Sequence, residues 1–272
     1  MTGKVVVITG GSLGIGAAAA RELRTQGATV VITGRSTETT RLAGEIGADA
    51  ILCDFARLAD VRALAGKLLA KYPRIDVLAN NVGAVVAERQ LTEDGHEKTF
   101  QVNHLSGFLL TILLRERLES SGATIINTSS RAHQMGRLDL NDLENANHYS
   151  SWRAYGTAKL MNILHAAELS NRFSGVHGVS FHPGVVASGF AREGSAATRL
   201  LYNTPLRRLF MISPEKGADT LVWLASTRPG SEWSPGEFYV KRRVAKKSPQ
   251  AADTDLARRL WDESERLVGT QG

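Results

Sequence analysis

The sequence predicts an α/β fold, a single domain built on a doubly wound parallel sheet of about seven strands with helices on both faces. Three observations predict it. Short runs rich in valine and isoleucine alternate with longer amphipathic stretches along the whole chain, the pattern of repeated βαβ units. The first run opens directly onto a glycine-rich turn followed by a helix-forming stretch. No Pro/Gly/Ser linker, low-complexity tract or repeating period divides the 272 residues, so residues 1–272 read as one Rossmann-like unit.

Taken in order, Lys4–Thr9 is a β-branched strand that leads into Gly10-Gly11-Ser12-Leu13-Gly14-Ile15-Gly16 and a helix over Ala17–Gln26. Glycine permits positive φ and close approach of a ligand to the backbone, and a helix N-terminus favours an anion. The turn is therefore a candidate pyrophosphate site. Ala28–Thr33 is a second strand and Thr37–Ile46 a helix; Ala48–Cys53 is a third strand, and Leu58–Lys71 an amphipathic helix. Ile75–Ala79 is a fourth strand, ending in Asn80-Asn81-Val82-Gly83, and Thr92–Glu119 reads as one long helix or two joined ones. Ala123–Thr128 is a fifth strand, Trp152–Phe173 a helix, His177–Phe181 a sixth strand, Pro214–Ser226 a helix and Glu237–Val240 a last short strand. Ligands of such sheets sit at the carboxyl ends of the strands. The unusual polar residues collect there: the glycine turn, Asp54, Asn80, Ser129-Ser130 and His182-Pro183-Gly184.

Composition narrows the class. A 43% hydrophobic content is ample for one large core. The single cysteine, Cys53, excludes an intramolecular disulfide framework and fits a reducing compartment; it reads as a small buried hydrophobe. The first strand starts at Lys4 and no apolar run reaches the length of a bilayer span, so a cytoplasmic protein without signal peptide or anchor is expected. The formal charge of +6 owes much to Lys241, Arg242, Arg243, Lys246 and Lys247. With no aromatic interleaving and no nucleic-acid motif beside them, residues 241–272 read as a solvated basic tail, with neither nucleic acid nor membrane as partner. The seven histidines and the cysteine show no metal-ligand spacing, so no metal is expected.

Chemistry enters at Tyr155-Gly-Thr-Ala-Lys159. On a helix, positions i and i+4 share a face about 6 Å apart at Cβ. A phenol ordinarily titrates at about 10, too high for a good proton donor at neutral pH, and an ammonium one turn away favours the phenolate. The pair reads as a tuned general acid/base.

With these residues on the page, the chain resembles the short-chain dehydrogenase/reductase family from Lys4 to about Val240. Its motifs stand in the family's order: Thr9-Gly10-x-x-x-Gly14-Ile15-Gly16, Asn80-Asn81-Val82-Gly83, Asn103, Ser130 and Tyr155-x-x-x-Lys159, with Pro183-Gly184 after them. It is most similar to the retinol dehydrogenase-like and WW-domain oxidoreductase-like branch. The carriers of that likeness are Phe100–Leu110, Asn127-Thr-Ser-Ser-Arg-Ala-His133 and the 25-residue step from Ser130 to Tyr155, which inserts roughly Arg137–Ser151 beside the site. The membrane anchor of the animal retinol enzymes is expected to have no counterpart here. The resemblance implies that Tyr155 exchanges the proton with the substrate oxygen, while Lys159 lowers the Tyr155 pKa and bonds the nicotinamide ribose. Ser130 would hold the substrate oxygen, and Asn103 a water that links Lys159 to solvent. A bland reading stands beside each: the two serines could simply close a strand-end turn, and Asn103 could be satisfied by neighbouring backbone.

For the cofactor, an acid at the end of the second strand would bond an adenosine 2′-hydroxyl. Here Gly34 occupies that place and Arg35-Ser36 follows. A guanidinium forms charge-assisted bonds to phosphate, so NADP(H) is expected, with Arg35 and Ser36 at the 2′-phosphate. Glu38 reads as the start of the next helix, where an acid suits the dipole. The resemblance further places Gly10, Ser12, Leu13, Gly14, Ile15 and Gly16 at the pyrophosphate and Asp54, with Phe55, at the adenine. Asn81, Val82 and Gly83 would line the cleft while Asn80 braces the sheet. Pro183, Gly184, Val186 and Ser188 would lie near the nicotinamide.

Ser188–Ile212 is expected to form a substrate lid, with Gly189 and Gly194 permitting movement. His133, Tyr149 and Trp152 are candidate substrate contacts through the insertion. The expected function is an NADPH-dependent reduction of a ketone or aldehyde to an alcohol, or the reverse, on a small-molecule substrate. The alternative is an NADP(H)-binding regulator or sensor without turnover, against which the intact Ser130, Tyr155 and Lys159 weigh. Either a homodimer or a monomer fits, since relatives often pair through the helices at Thr92–Glu119 and Trp152–Phe173 and the insertion could block that.

Overall fold

A computed structural model describes residues 1–147, 149–186 and 211–270. Eight strands form one sheet: β1 (Val5–Thr9), β2 (Thr29–Gly34), β3 (Asp49–Leu52), β4 (Val77–Asn80), β5 (Thr124–Thr128), β6 (His177–His182), β7 (Phe238–Val240) and β8 (Arg243–Val244). Their spatial order is β3-β2-β1-β4-β5-β6-β7-β8. Every pair is parallel except β7–β8, a two-residue hairpin closed by Lys241 and Arg242, both at positive φ. The seven parallel strands are those the sequence predicts, and β8 is a short added edge.

Among the described residues the α-helices are α1 (Gly14–Thr25), α2 (Thr37–Ile46), α3 (Leu58–Lys71), α4 (Lys98–Phe100), α5 (Ser106–Leu113), α6 (Arg115–Ser121), α7 (Ser151–Arg172), α8 (Pro214–Ser226) and α9 (Thr254–Leu267), with a π-helical segment, Gln101–Leu105, between α4 and α5. The central strands are buried on both faces and so present apolar side chains in both directions. On one face Val6, Ile8, Val30 and Ile32 pack with α1, α2 and α8 through Leu23, Leu42 and Leu221. On the other, Val7, Leu78 and Ile125 pack with α3, α5 and α7 through Leu64, Phe108 and Leu164. Among the described residues no helix is long and apolar enough to cross a membrane.

Two expectations need correction. The predicted helix from Thr92 begins only at Lys98: Gly95, at φ +84°, closes a turn in which Thr92 N–H donates to the His96 carbonyl, and the Glu97 carboxylate caps Thr99 and Phe100. Beyond that start the reading of joined helices holds, since Leu114, with ψ of 2°, ends α5 before α6 starts. Nor is 241–272 a solvated tail. Lys241–Val244 is exposed, but from Thr254 the chain forms α9, which buries Leu256, Ala257, Leu260 and Trp261 against α5 and α7. Trp261 meets Phe108 edge-on at 4.9 Å and His165 at 5.6 Å. The cationic residues distracted from an apolar stripe recurring at i, i+1, i+4 and i+5, which is the burial signal.

Candidate active site

The strand order reverses between β1 and β4, and their carboxyl ends therefore leave a crevice. Gly10–Gly16 follows β1 and Asn80–Gly83 ends β4, so both motifs meet there. Gly10 and Gly14 take φ of +64° and +54°. A Cβ on Gly16 would lie 2.3 Å from the Gly10 carbonyl oxygen and 2.8 Å from Asn81 Nδ2, so only glycine lets α1 start so close to the turn. The floor is cross-braced: Asn81 Nδ2 donates to the Thr9 and Gly10 carbonyls at 3.1 and 3.3 Å, and the Asn81 and Val82 N–H groups donate to Thr9 Oγ1. Asn80 sits deeper and donates to Asn127 Oδ1 and Thr111 Oγ1, bracing β4 against β5 and α5.

α1 begins at Leu13 with no side-chain cap and no acid in its first turn. Its leading N–H groups thus present positive potential without a resident carboxylate, and a pyrophosphate fits. Ser12 and Leu13 form the outer lip, while Ile15 reaches toward α8 beside Gly217.

Toward the adenosine end, Gly34 closes β2. A Cβ there would fall 2.5 Å from Thr39 Oγ1 and 3.1 Å from Ser12 Oγ, so a larger residue would have to displace those hydroxyls. Arg35 and Ser36 follow on the exposed surface. Glu38 lies in the first turn of α2 and pairs with Arg41, which holds its carboxyl below the usual range. Asp54 Oδ1 accepts from Ala56 N–H at 3.0 Å and shapes the turn after β3. Phe55 is buried in the core, its carbonyl accepting from Ser106 Oγ at 2.6 Å, so only its backbone can serve a ligand.

The proton-handling residues converge at the ends of β4 and β5. Tyr155 and Lys159 lie on one face of α7, with Lys159 Nζ 5.4 Å from the Tyr155 ring centroid. Lys159 is 2% exposed, its ammonium donating to the Thr128 carbonyl at 3.1 Å. Burial pulls its pKa down to about 7. A Cβ on Gly83 would lie 3.0 Å from Lys159 Nζ and 2.8 Å from Asn103 Oδ1; glycine is what lets the β4 loop approach both. Asn103 lies in the π-helical segment. Its side chain grips that loop, Nδ2 donating to the Ala84 and Thr99 carbonyls and Oδ1 accepting from Ala84 N–H.

The two serines separate cleanly. Ser129 is buried and donates to the Lys159 carbonyl at 2.7 Å, a structural bond. Ser130 is half-buried, and its Oγ accepts from Ala132 N–H, which caps a 3₁₀ turn over Arg131–Gln134. Pro183 and Gly184 follow β6, and Gly184 is at φ +95° with Ile212 packed against its α-carbon. Val186 is buried and bridges to Ile212. Ser188 and the lid as far as residue 210 lie outside the described residues.

Some residues escaped the sequence reading. Asn162, three beyond Lys159, donates to the Asn103 and Thr128 carbonyls and so ties the π segment to the strand end that Lys159 also holds. Its signal was only the i+3 spacing on the same helix. Gly156 and Gly136 bring two backbones together: a Cβ on Gly156 would lie 2.6 Å from the Ala132 carbonyl oxygen. Of the insertion candidates, His133 is fully buried and cannot meet substrate, and Tyr149 donates to the Val86 carbonyl at 2.9 Å. Trp152 stands 37% exposed, edge-on to Tyr155 with 6.1 Å between the rings.

The comparisons agree with this geometry. Residues 4–198 match the family model described as short chain dehydrogenase. A protein provisionally named as a daunorubicin C-13 ketoreductase from Streptomyces sp. (strain C5) is 45% identical over 99% of this chain and 94% of its own length. Retinol dehydrogenase 11 of Homo sapiens is 39% identical over 99% of this chain and 87% of its own. A crystal structure of an uncharacterized protein from Mycobacterium paratuberculosis superposes with a TM-score of 0.80 at 30% identity, covering 99% of this chain and 95% of that one. The chain belongs to the short-chain dehydrogenase/reductase family, in its retinol dehydrogenase-like branch, and is a nicotinamide-dependent oxidoreductase acting on alcohol and carbonyl groups.

Proposed function

We propose that the protein is an NADPH-dependent carbonyl reductase, or the corresponding alcohol dehydrogenase in reverse, acting on a largely apolar ketone or aldehyde. The observation that carries it is Tyr155, Lys159 and Ser130 gathered at the carboxyl edge beside the glycine turn. A nicotinamide cofactor held by the Gly10–Gly16 turn and the Asn81–Gly83 segment would supply the hydride when bound. Tyr155 gives its phenolic proton to the carbonyl oxygen, Ser130 donates a hydrogen bond to that oxygen, and Lys159 supports the phenolate left behind. Asn103 and Asn162 hold the backbone on which Lys159 depends.

The choice of NADP(H) rests on Gly34, which carries no carboxylate where an acid would bond a 2′-hydroxyl, and on the guanidinium at Arg35 next to it. Apolar substrate preference is supported by three exposed hydrophobic side chains, Met135 and Val185 outside the regular elements and Trp152 in the first turn of α7. The relatives named for daunorubicin and retinol point the same way. α9 packs along α7 and meets α5 through Trp261 and Phe108, on helices through which relatives often pair, which supports the monomer over the homodimer. Cys53, the single cysteine, is buried, which suits a cytoplasmic setting. The test is turnover of a panel of ketones and aldehydes with NADPH and with NADH, followed by cofactor absorbance. Oxidation of NADPH well above NADH supports the proposal. Tight NADPH binding without oxidation across chemically diverse carbonyls would instead indicate a sensor.

A further inference from the structure

Ser130 and Tyr155 stand on different elements, so their separation depends on whatever holds the 130–138 loop. Two attachments run to α7. Gly136 and Gly156 make a backbone-to-backbone contact that no Cβ would permit, and Thr157 Oγ1 accepts from Arg137 N–H at 3.1 Å while lying 3.3 Å from the Arg137 carbonyl. The others run to the segment before α9. His133 Nδ1 lies 2.7 Å from the Ser130 carbonyl oxygen, and His133 Nε2 accepts from Ser248 N–H at 3.2 Å. An N–H donor at Nε2 requires a lone pair there, so the ring proton sits on Nδ1 and is donated to Ser130. The ring is fully buried and meets Phe238 edge-on at 5.0 Å. Burial holds its pKa below the usual imidazole value, consistent with this neutral tautomer. Two residues past Ser248, Gln250 grips both peptide groups of Leu138, with Oε1 accepting from its N–H at 3.0 Å and Nε2 donating to its carbonyl at 2.9 Å.

We propose that His133 and Gln250 are positioning residues: together they latch the Ser130 loop to the Ser248–Gln250 segment and so fix the serine hydroxyl opposite the Tyr155 phenol. Neither touches substrate. A buried imidazole bonded to two backbone groups, and an amide bonded to both groups of one residue, leave the loop little freedom to slide. The segment itself is held by α9, whose Asp253 carboxylate caps Leu256 N–H and whose Leu256, Leu260 and Trp261 are buried. The C-terminal helix thereby sets active-site geometry without entering the site. This inference rests on the assignment of Ser130 to the substrate oxygen.

The test uses the full-length protein with His133→Phe, which keeps the ring but loses both bonds, with His133→Asn, which keeps a donor for the Ser130 carbonyl, and with Gln250→Leu. Each is measured for kcat, KM, reduced-cofactor affinity and amide hydrogen exchange over residues 130–138. A misplacement of about 1 Å can cost about a hundredfold in rate. His133→Phe and Gln250→Leu are each expected to lower kcat by about tenfold to a hundredfold, with cofactor affinity held within about twofold and faster exchange in the loop; His133→Asn should recover part of kcat. Unchanged kcat or unchanged exchange in His133→Phe and Gln250→Leu would overturn the proposal. So would a loss of cofactor binding equal to the loss of kcat, since that marks general unfolding. If the wild-type protein reduces no carbonyl, the enzymatic reading fails on its own, and loop exchange still decides whether the latch exists.

Discussion

Replacing Lys159 with Met should stabilise the protein while destroying its activity, and the gain should depend on pH in a way that identifies its cause. The ammonium is buried, with the Thr128 carbonyl as its hydrogen-bond acceptor, and burial lowers its pKa from 10.5 to about 7. Below pH 7 both folded and unfolded chains carry the proton, and the folded state bears the whole desolvation cost, about 4–5 kcal/mol at about 1.4 kcal/mol per pKa unit. Between pH 7 and the unfolded value of about 10.4 the unfolded chain binds more protons, so wild-type stability rises with pH through that window. Above it the contribution vanishes. Methionine fills similar space without charge, and losing the Thr128 bond offsets about 1 kcal/mol. Denaturant unfolding of both proteins without cofactor should therefore show Lys159→Met more stable by about 3–4 kcal/mol at pH 6, with about 2–3 kcal/mol of that advantage gone by pH 9. Groups common to both proteins cancel in the difference. An advantage that stays constant across this range, or a variant less stable than wild type at pH 6, would refute the claim that an ill-solvated ammonium is held here.

Other outcomes follow from the same geometry. Tyr155→Phe should keep cofactor affinity within about twofold and reduce kcat by about a thousandfold or more, because only the transferred proton is lost; steady-state kinetics with cofactor titration checks it. Arg35→Ala should weaken NADPH by about tenfold to a hundredfold and NADH hardly at all, read from the Kd of each, because a charged hydrogen bond to phosphate is worth about 1.5–3 kcal/mol. Trp261→Ala should cost about 3–5 kcal/mol in chemical denaturation, since its ring is buried among Phe108, Phe173 and His165. A cost below about 1 kcal/mol would show that α9 does not belong to the folding unit.

The strand–helix alternation, the glycine turn and the Tyr155–Lys159 pair were legible because each is a local pattern. β-branched runs, amphipathic spacing and an i, i+4 step are fixed by neighbours along the chain, and α2, α3 and α8 begin and end where the sequence predicts. Where local signals misled, a contact distant in sequence had won. The basic residues near 241–247 suggested a solvated tail, yet Trp261 and Leu260 found a surface on α5 and α7 about a hundred or more residues earlier. His133 was a candidate for substrate until the fold put Ser248 against its Nε2. Lys159 is expected from its spacing to tune Tyr155, and only burial under the closed fold shows that its own pKa is lowered as well. The sequence by itself determined the order of elements and the identity of the reacting groups, because periodicity and side-chain chemistry are properties of the chain. Tertiary structure alone decided which groups lost water and which backbone atoms they met, because desolvation and hydrogen-bond geometry exist only once distant segments are packed together.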